Sequence, residues 1–517
     1  MTITSFEFLL LIVSGAIVYY AFPKALQWVE LLIISLIFYC FAAVPYTIIY
    51  MIISTLIAYG VTVWMDRERK SENQKKKWIF PLVMISLIIN ICLWVVFKGK
   101  NLWIYLLLVF GKYNPQIEAI SNMHLVAALG MGYYTLQIMG YIIDCYWGNV
   151  KPQKNLLKLF LFVIYFPQLM TGPISRYADL TALYEKHKFS YINLSFGAQR
   201  ILWGFVKKLV LAEKVGIIVS GITGNPDTYT GFYSWIVIFL YPIQMYADFS
   251  GCMDIILGVS ELYDIHLAEN FNNPFFSRTS QEFWQRWHIT LGTWAKDYVL
   301  YPLLKSKVMI KLGKIVKKKF GKKTGKFIVS SMGMLVLWMV MGIWHGGLRY
   351  IVGVSLWYWI ILMMGELTAS GLKKMTENLK MMTSSFGWHF FQSIRTFLIY
   401  AVGATFFNVG VLKGIALLQD AWRVISIKDY ANPWIFFDGS ILDLGVTYRD
   451  INIIIVVIVI LLVVGILREK YGYARLWIME QSFLFRWSIW IGLFLLLLIY
   501  GEYGPDYSAA EFIYQGF

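Results

Sequence analysis

Charge is the scarcest thing in this chain. Only 15% of its 517 residues are Asp, Glu, Lys or Arg, against 58% hydrophobic and 18% aromatic. An ordinary soluble domain carries about a quarter charged residues, so a soluble enzyme of one or two globular domains is excluded: its polar residues could not cover its apolar ones. What remains is a polytopic membrane protein, built from helices because lipid offers no partner to open backbone groups. Cysteine is scarce too. Cys40, Cys92, Cys145 and Cys252 are scattered, mostly within apolar segments. No pair has metal-ligand spacing and no disulfide framework is suggested, so they read as buried thiols with no metal site. The N-terminus lacks the basic stretch of a signal peptide, its first charge being Glu7, and an uncleaved first helix is expected. There is no internal repeat and no dividing linker, which points to a single membrane domain over 1–517.

Runs of about 20 apolar residues mark candidate spans. They lie near 4–21, 27–44, 46–64, 78–97, 123–146, 156–170, 196–220, 232–259, 327–344, 351–368, 390–409, 451–467 and 484–500. Leu102–Gly111 is too short to span and reads as re-entrant.

Acidic residues are fewer than basic ones, 30 against 46, for a net charge of +16. Such a balance first suggests nucleic acid, but the placement of the charges argues against it. Lys305, Lys307, Lys311, Lys314, Lys317, Lys318, Lys319, Lys322, Lys323 and Lys326 occupy one acid-free stretch between two apolar segments. Arg67, Arg69, Lys70, Lys75, Lys76 and Lys77 form another. Both read as cytoplasmic loops under the positive-inside rule, with attraction to anionic lipid as a secondary effect. Three spans separate Asp66–Lys77 from Met1, which places the N-terminus outside. The tail from Gly501 carries Glu502, Asp506 and Glu511 with no Lys or Arg, and is also expected outside. Before Ile451, Asp429, Asp438, Asp443 and Asp450 outweigh Lys428 and Arg449, in agreement.

Function in a membrane protein tends to sit where apolar patterning fails, because buried polar groups are costly in lipid. The largest failure runs from Glu269 to Tyr301. Treated as one helix from Gln281, it places Glu282, Arg286, Thr290, Thr293 and Asp297 on one stripe, and His288 on another with Gln281, Trp284, Leu291, Gly292 and Ala295. That would suit a helix lining a cavity; an interfacial helix with a Trp belt fits equally well. A second break is Met341–Gly347, where His345 ends an apolar run before two glycines. A histidine there can act as a base, or simply stand near a glycine-capped helix end. His124, His187, His266 and His389 have no such context and read as loop or boundary residues. Phe166–Arg176 breaks a run with two prolines and a glycine, and Ala247–Asp254 sets two carboxylates within a span. Each of the latter is a functional candidate or a structural hydrogen-bonding group.

Together these segments resemble the membrane-bound O-acyltransferases, in the branch of the alginate O-acetyltransferase and teichoic acid D-alanyl transferase membrane subunits. The resemblance rests on YFPQLMTGPISRY (165–177), YADFSGCMDIILG (246–258), ENFNNPF (269–275), EFWQRWHITLGTWAKDYVLYPL (282–303) and MGIWHGG (341–347). These lie in a motif-bearing core of about 156–368. The closing FIYQGF, in an aromatic tail over 501–517, resembles the alginate-type ending with one substitution and a shift.

The resemblance implies an all-α ring of tilted helices with re-entrant segments around a central tunnel. It marks His345 as catalytic and His288 as the second histidine, with Trp284, Arg286, Asn270, Asp297 and Trp344 as candidates lining the tunnel near a donor. It implies a bacterial plasma-membrane enzyme that moves an acyl group, acetyl first, from a cytosolic thioester such as acetyl-CoA, with no resident cofactor. The acceptor would be an extracytoplasmic polysaccharide, reached through an esterase-like partner; lipid is the other partner, and nucleic acid is not. D-alanyl transfer from a carrier protein to teichoic acid is an alternative, and a polysaccharide transporter or flippase is a rival from another class.

Such a transfer needs a base for the hydroxyl proton and donors for the oxyanion. His345 is the expected base, and His288 or a backbone N–H near Gly346 the expected donor. A covalent acyl-imidazole is a second route. One tension accompanies this assignment: a straight helix from Phe327 would carry His345 roughly 27 Å along its axis, toward the outer face, whereas the family expects it mid-membrane.

Overall fold

The computed structural model describes residues 1–71, 77–97, 126–346, 350–426 and 439–504. Leu102–Gly111, His124, Gly347, most of the acidic loop before Gly439 and the tail beyond Gly504 lie outside these residues. Among the described residues no β-strand occurs, and nine helices are long and apolar enough to cross a membrane. The chain is an all-α polytopic membrane protein.

The helices used below are, in chain order, α1 (Phe6–Ala21), α2 (Gln27–Ala42), α3 (Ile48–Lys70), α4 (Ile79–Phe97), α5 (Met131–Trp147), α6 (Leu156–Ile164), α7 (Tyr191–Phe205), α8 (Glu213–Gly224), α9 (Phe232–Leu262), α10 (Ser280–Arg286), α11 (Ile289–Ala295), α12 (Lys307–His345), α13 (Trp357–Asn378), α14 (Phe386–Val409), α15 (Val411–Ser426), α16 (Tyr448–Tyr471) and α17 (Phe483–Tyr500). Most expected spans coincide with one of these. The 156–170 run does not form one helix. It stops at Ile164, because Pro167 cannot continue the ladder and instead opens a single turn, Phe166–Leu169. The 196–220 run is a continuous rod of α7, a wide i→i+5 turn over Val206–Ala212, and α8. It carries too many charges to count among the nine.

The chain folds as two compact units. Among the described residues, one comprises Met1–Leu202 with Cys252–Glu269; the other comprises Trp203–Gly251 with 270–504. In the first unit, several polar groups within apolar helices are paired with one another. Arg200 on α7 donates to Asp254 on α9 at 3.0 Å and to Glu269 at 2.7 Å. The carbonyls of Cys145 and Tyr146, at the end of α5, accept from the Arg69 guanidinium, a favourable place for a cation. His187, expected in a loop without context, is buried. Its Nδ1 faces Asp264 at 3.1 Å and its Nε2 faces the Ala182 carbonyl at 2.8 Å. The thiols also differ from expectation: Cys145 and Cys252 are buried, but Cys40 and Cys92 are exposed on helix faces turned away from the protein.

In the second unit, Lys208 meets Asp248 and Glu213, each at 2.6 Å, with both Lys208 and Asp248 almost wholly buried. Lys208 and Glu213 are five residues apart. An ordinary helix would put them on different faces, and the wider turn between them aligns them. Asp248 and Asp254 of the Ala247–Asp254 motif are therefore ion-pair partners of helical cations.

Antiparallel α7 and α9 approach at glycines. A Cβ on Gly258 would lie 2.7 Å from the Gly197 carbonyl oxygen, and one on Gly251 would lie 2.9 Å from that of Gly204. Small residues let backbones approach where the hydrophobic effect does not drive helices together. Gly258→Leu is expected to force the pair apart at a cost of about 1–3 kcal/mol, read as a lower melting temperature of the detergent-solubilised chain. A solvent-facing Gly148→Ala change bears on a left-handed cap instead and serves as a comparison of a different mechanism.

Candidate active site

The polar segment from Glu269 to Tyr301 is not one helix. It breaks between α10 and α11, where Trp287 is extended and His288 adopts φ 45°, ψ 52°. The amphipathic stripes drawn across it from Gln281 therefore do not exist. The cause is tertiary. Backbone bonds run from Asn272 N–H to the Arg286 carbonyl and from Ile289 N–H to the Asn270 carbonyl, so that Phe271 and Trp287 form an antiparallel bridge. The ENFNNPF and RWH motifs are one structural piece, stitched backbone to backbone.

Within it, the Asn270 side chain is fully buried, and its Oδ1 accepts three hydrogen bonds. Thr290 N–H lies at 3.1 Å, Thr290 Oγ1 at 3.0 Å and His288 Nδ1 at 3.1 Å. A backbone N–H can only donate, which identifies this atom as the amide oxygen. An amide oxygen can only accept, so His288 carries its hydrogen on Nδ1 and its basic lone pair on Nε2. Burial, reinforced by nearby His345, holds the His288 imidazole well below the usual histidine range. Neutral His288 is thus a proton acceptor at Nε2.

His345 ends α12 and is buried; Gly346 follows at φ 83°. The Gly346 N–H donates to the Ile343 carbonyl at 3.0 Å, so the second candidate oxyanion donor is engaged as a helix cap. The Trp344 ring neighbours both histidines, its centroid 6.3 Å from that of His288 and 4.8 Å from that of His345. Phe249 presents itself edge-on to His288 at 4.9 Å, while Phe407 and Tyr350 each stand 6.1 Å from His345. The RWH and WHG histidines thus converge in one buried aromatic shell.

The other sequence candidates separate by role. Arg286 pairs with Glu282 at 2.8 Å and with Glu469 of α16 at 2.5 Å. Asn273 Nδ2 donates to the same Glu469, and to the Gly465 carbonyl. Arg286 therefore fastens the motif to α16. Trp284 packs in an aromatic cluster with Trp338 at 4.9 Å and Tyr358 at 4.6 Å. Asp297 lies in a wide turn, Lys296–Leu300, after α11. A further wide turn, Ile351–Leu356, packs on α12, where the Ser355 hydroxyl donates to the Trp338 carbonyl at 2.6 Å. Such turns are often found at functional sites. The reading from sequence missed Glu469 and Lys208; the latter was signalled by the adjacent cations inside the apolar run GFVKKLVL (204–211).

Asn270→Leu is expected to leave the Thr290 N–H buried without an acceptor, costing about 1–3 kcal/mol of stability, and to release the His288 tautomer. Asn270→Asp keeps an acceptor oxygen and is expected to retain both. Thermal melting, with ¹⁵N shifts of labelled histidine, checks this.

No protein-family model matches the chain. It is 28% identical over 331 residues, 63% of this chain and 59% of the relative, to a probable alginate O-acetylase of Pseudomonas syringae pv. tomato. To a peptidoglycan O-acetyltransferase of Helicobacter pylori it is 24% identical over 352 residues, 63% and 61% of the two chains. To a teichoic acid D-alanyltransferase of Bacillus subtilis it is 30% identical over 262 residues, 48% and 63% of the two. The matched region thus spans about three fifths of the length of these relatives. With both histidines next to Trp344, the chain is similar to membrane enzymes named for O-acetyl transfer to alginate and peptidoglycan and for D-alanyl transfer to teichoic acid.

Proposed function

We propose that the protein is a membrane O-acyltransferase that passes an acyl group, acetyl first, from a cytosolic thioester such as acetyl-CoA toward an extracytoplasmic polysaccharide. An esterase-like partner receives the group outside. The protein sits in a bacterial plasma membrane with both termini extracytoplasmic. The observation that carries this reading is the meeting of His288 and His345 around Trp344 in a buried, aromatic-walled place. The names of the relatives support it, since they include acetyl and D-alanyl transferases.

The chemistry follows from what the residues can do. The acceptor hydroxyl oxygen bonds to the thioester carbonyl carbon while its proton passes to His345 as general base. The tetrahedral oxyanion then collapses, the C–S bond breaks, and the proton leaves on the thiolate. His288, neutral and oriented by Asn270, keeps a second uncharged acceptor beside the first. The aromatic shell excludes water that would otherwise hydrolyse the thioester.

His345→Ala, purified and folded, is expected to lose about 10²- to 10⁴-fold in acyl transfer from a labelled thioester in proteoliposomes; full activity would remove His345 from the mechanism. Because His288 is held neutral by burial, the acid limb of the rate–pH profile is expected below the ordinary histidine value of about 6.5. A limb at that value would mean that a solvated histidine controls the rate.

A further inference from the structure

The acid-free lysine stretch is a folded arm. α12 reverses at Gly321, where φ is 81° and ψ is 168°. The contacts on either side are symmetrical about that residue: a Cβ on Gly325 would lie 2.8 Å from the Lys317 Cα, and one on Gly313 would lie 3.5 Å from Val329. The segment Lys307–Phe320 therefore runs antiparallel to the segment that begins at Lys322 and continues as an apolar span to His345. The arm packs along the returning segment, with Gly313 beside Val329 of the apolar run. At about 21 Å the arm is too short to cross the roughly 30 Å core.

Its faces are sorted. Met309, Gly313 and Val316 are buried against the returning segment. At 100° per residue, Lys307, Lys311, Lys314 and Lys318 fall within an arc of about 60° on the opposite side. Between these faces stand Val308, 75% exposed, and Ile315, 55% exposed. A lysine stripe beside exposed branched aliphatics is the pattern by which an amphipathic helix meets an anionic lipid surface. The lysine stems cover apolar surface while their ammonium groups reach phosphate.

We propose that the Lys307–Phe320 arm is a docking surface for anionic phospholipid, with headgroup phosphates held by Lys307, Lys311, Lys314 and Lys318, and Val308 and Ile315 entering the acyl boundary. The four ammonium groups supply the charge that a phosphatidylglycerol surface complements. The inference is independent of the acyl-transfer reading, since it rests on the arm alone.

The test is lysine footprinting of the full chain in nanodiscs of phosphatidylcholine, with and without phosphatidylglycerol. An amine-reactive ester is expected to label these four lysines several-fold less when phosphatidylglycerol is present. By native mass spectrometry, the fourfold Lys→Gln variant is expected to lose about tenfold or more of its phosphatidylglycerol adducts relative to phosphatidylcholine, and the fourfold Lys→Arg variant to keep them. Labelling indifferent to phosphatidylglycerol, or adducts unchanged in the Gln variant, would overturn the proposal. So would protection in neutral discs by coenzyme A or by an acidic soluble protein, each of which would assign the stripe to a different occupant.

Discussion

The carboxamide oxygen of Asn270 is the atom on which the site depends. Three donors converge on it, two from Thr290 and one from His288. Together with the Phe271–Trp287 bridge they hold the chain in a left-handed turn at His288, which a side chain rarely adopts unless its surroundings enforce it. The strain, the tautomer and the direction of the lone pair are one arrangement. A helix through this point would have turned the imidazole according to the periodicity of its neighbours. The break lets Asn270 decide it.

Around this centre the structure handles charge by pairing. Lys208 with Asp248 and Glu213 joins the wide turn after α7 to α9. Lys214 joins Asp450 at the start of α16 to Glu502 beyond α17. Burial alone would lower the Lys214 ammonium, but its bonds to the two carboxylates outweigh burial and raise it. Buried ion pairs contribute little net stability, since desolvation offsets attraction, yet removing one partner is costly. Their value here is registry: each admits one alignment of its helices. Arg286, Asn273 and Glu469 do the same between the histidine-bearing segment and α16.

Much of this was legible in the residues and some was not. The spans could be read because long apolar runs have one solution in lipid. Asp248 and Asp254 announced themselves as polar groups in an apolar helix, but whether they served chemistry or structure depended on cations far away in sequence, Lys208 and Arg200. The polar segment after Glu269 misled. Its periodicity is genuinely helical on each side of Trp287, and nothing local marks the break, because the groups that impose it belong to Asn270 and its neighbours. The lysine stretch misled differently. It was read as a loop, whereas its glycine and its spacing build a helical hairpin.

By itself the sequence determined the class, an all-helical membrane chain. Scarce charge and long apolar runs leave no other way to satisfy the backbone in lipid. It also singled out the segments that bury polar groups, since histidines and carboxylates inside apolar surroundings persist only where something requires them. Tertiary structure alone decided how those segments act. It bent the RWH motif onto ENFNNPF, fixed the hydrogen of His288 on Nδ1, placed Trp344 next to both histidines, and made Arg286 a fastening. Each of these depends on a hydrogen bond or ring contact between residues distant in the chain, and local periodicity carries no record of such partners.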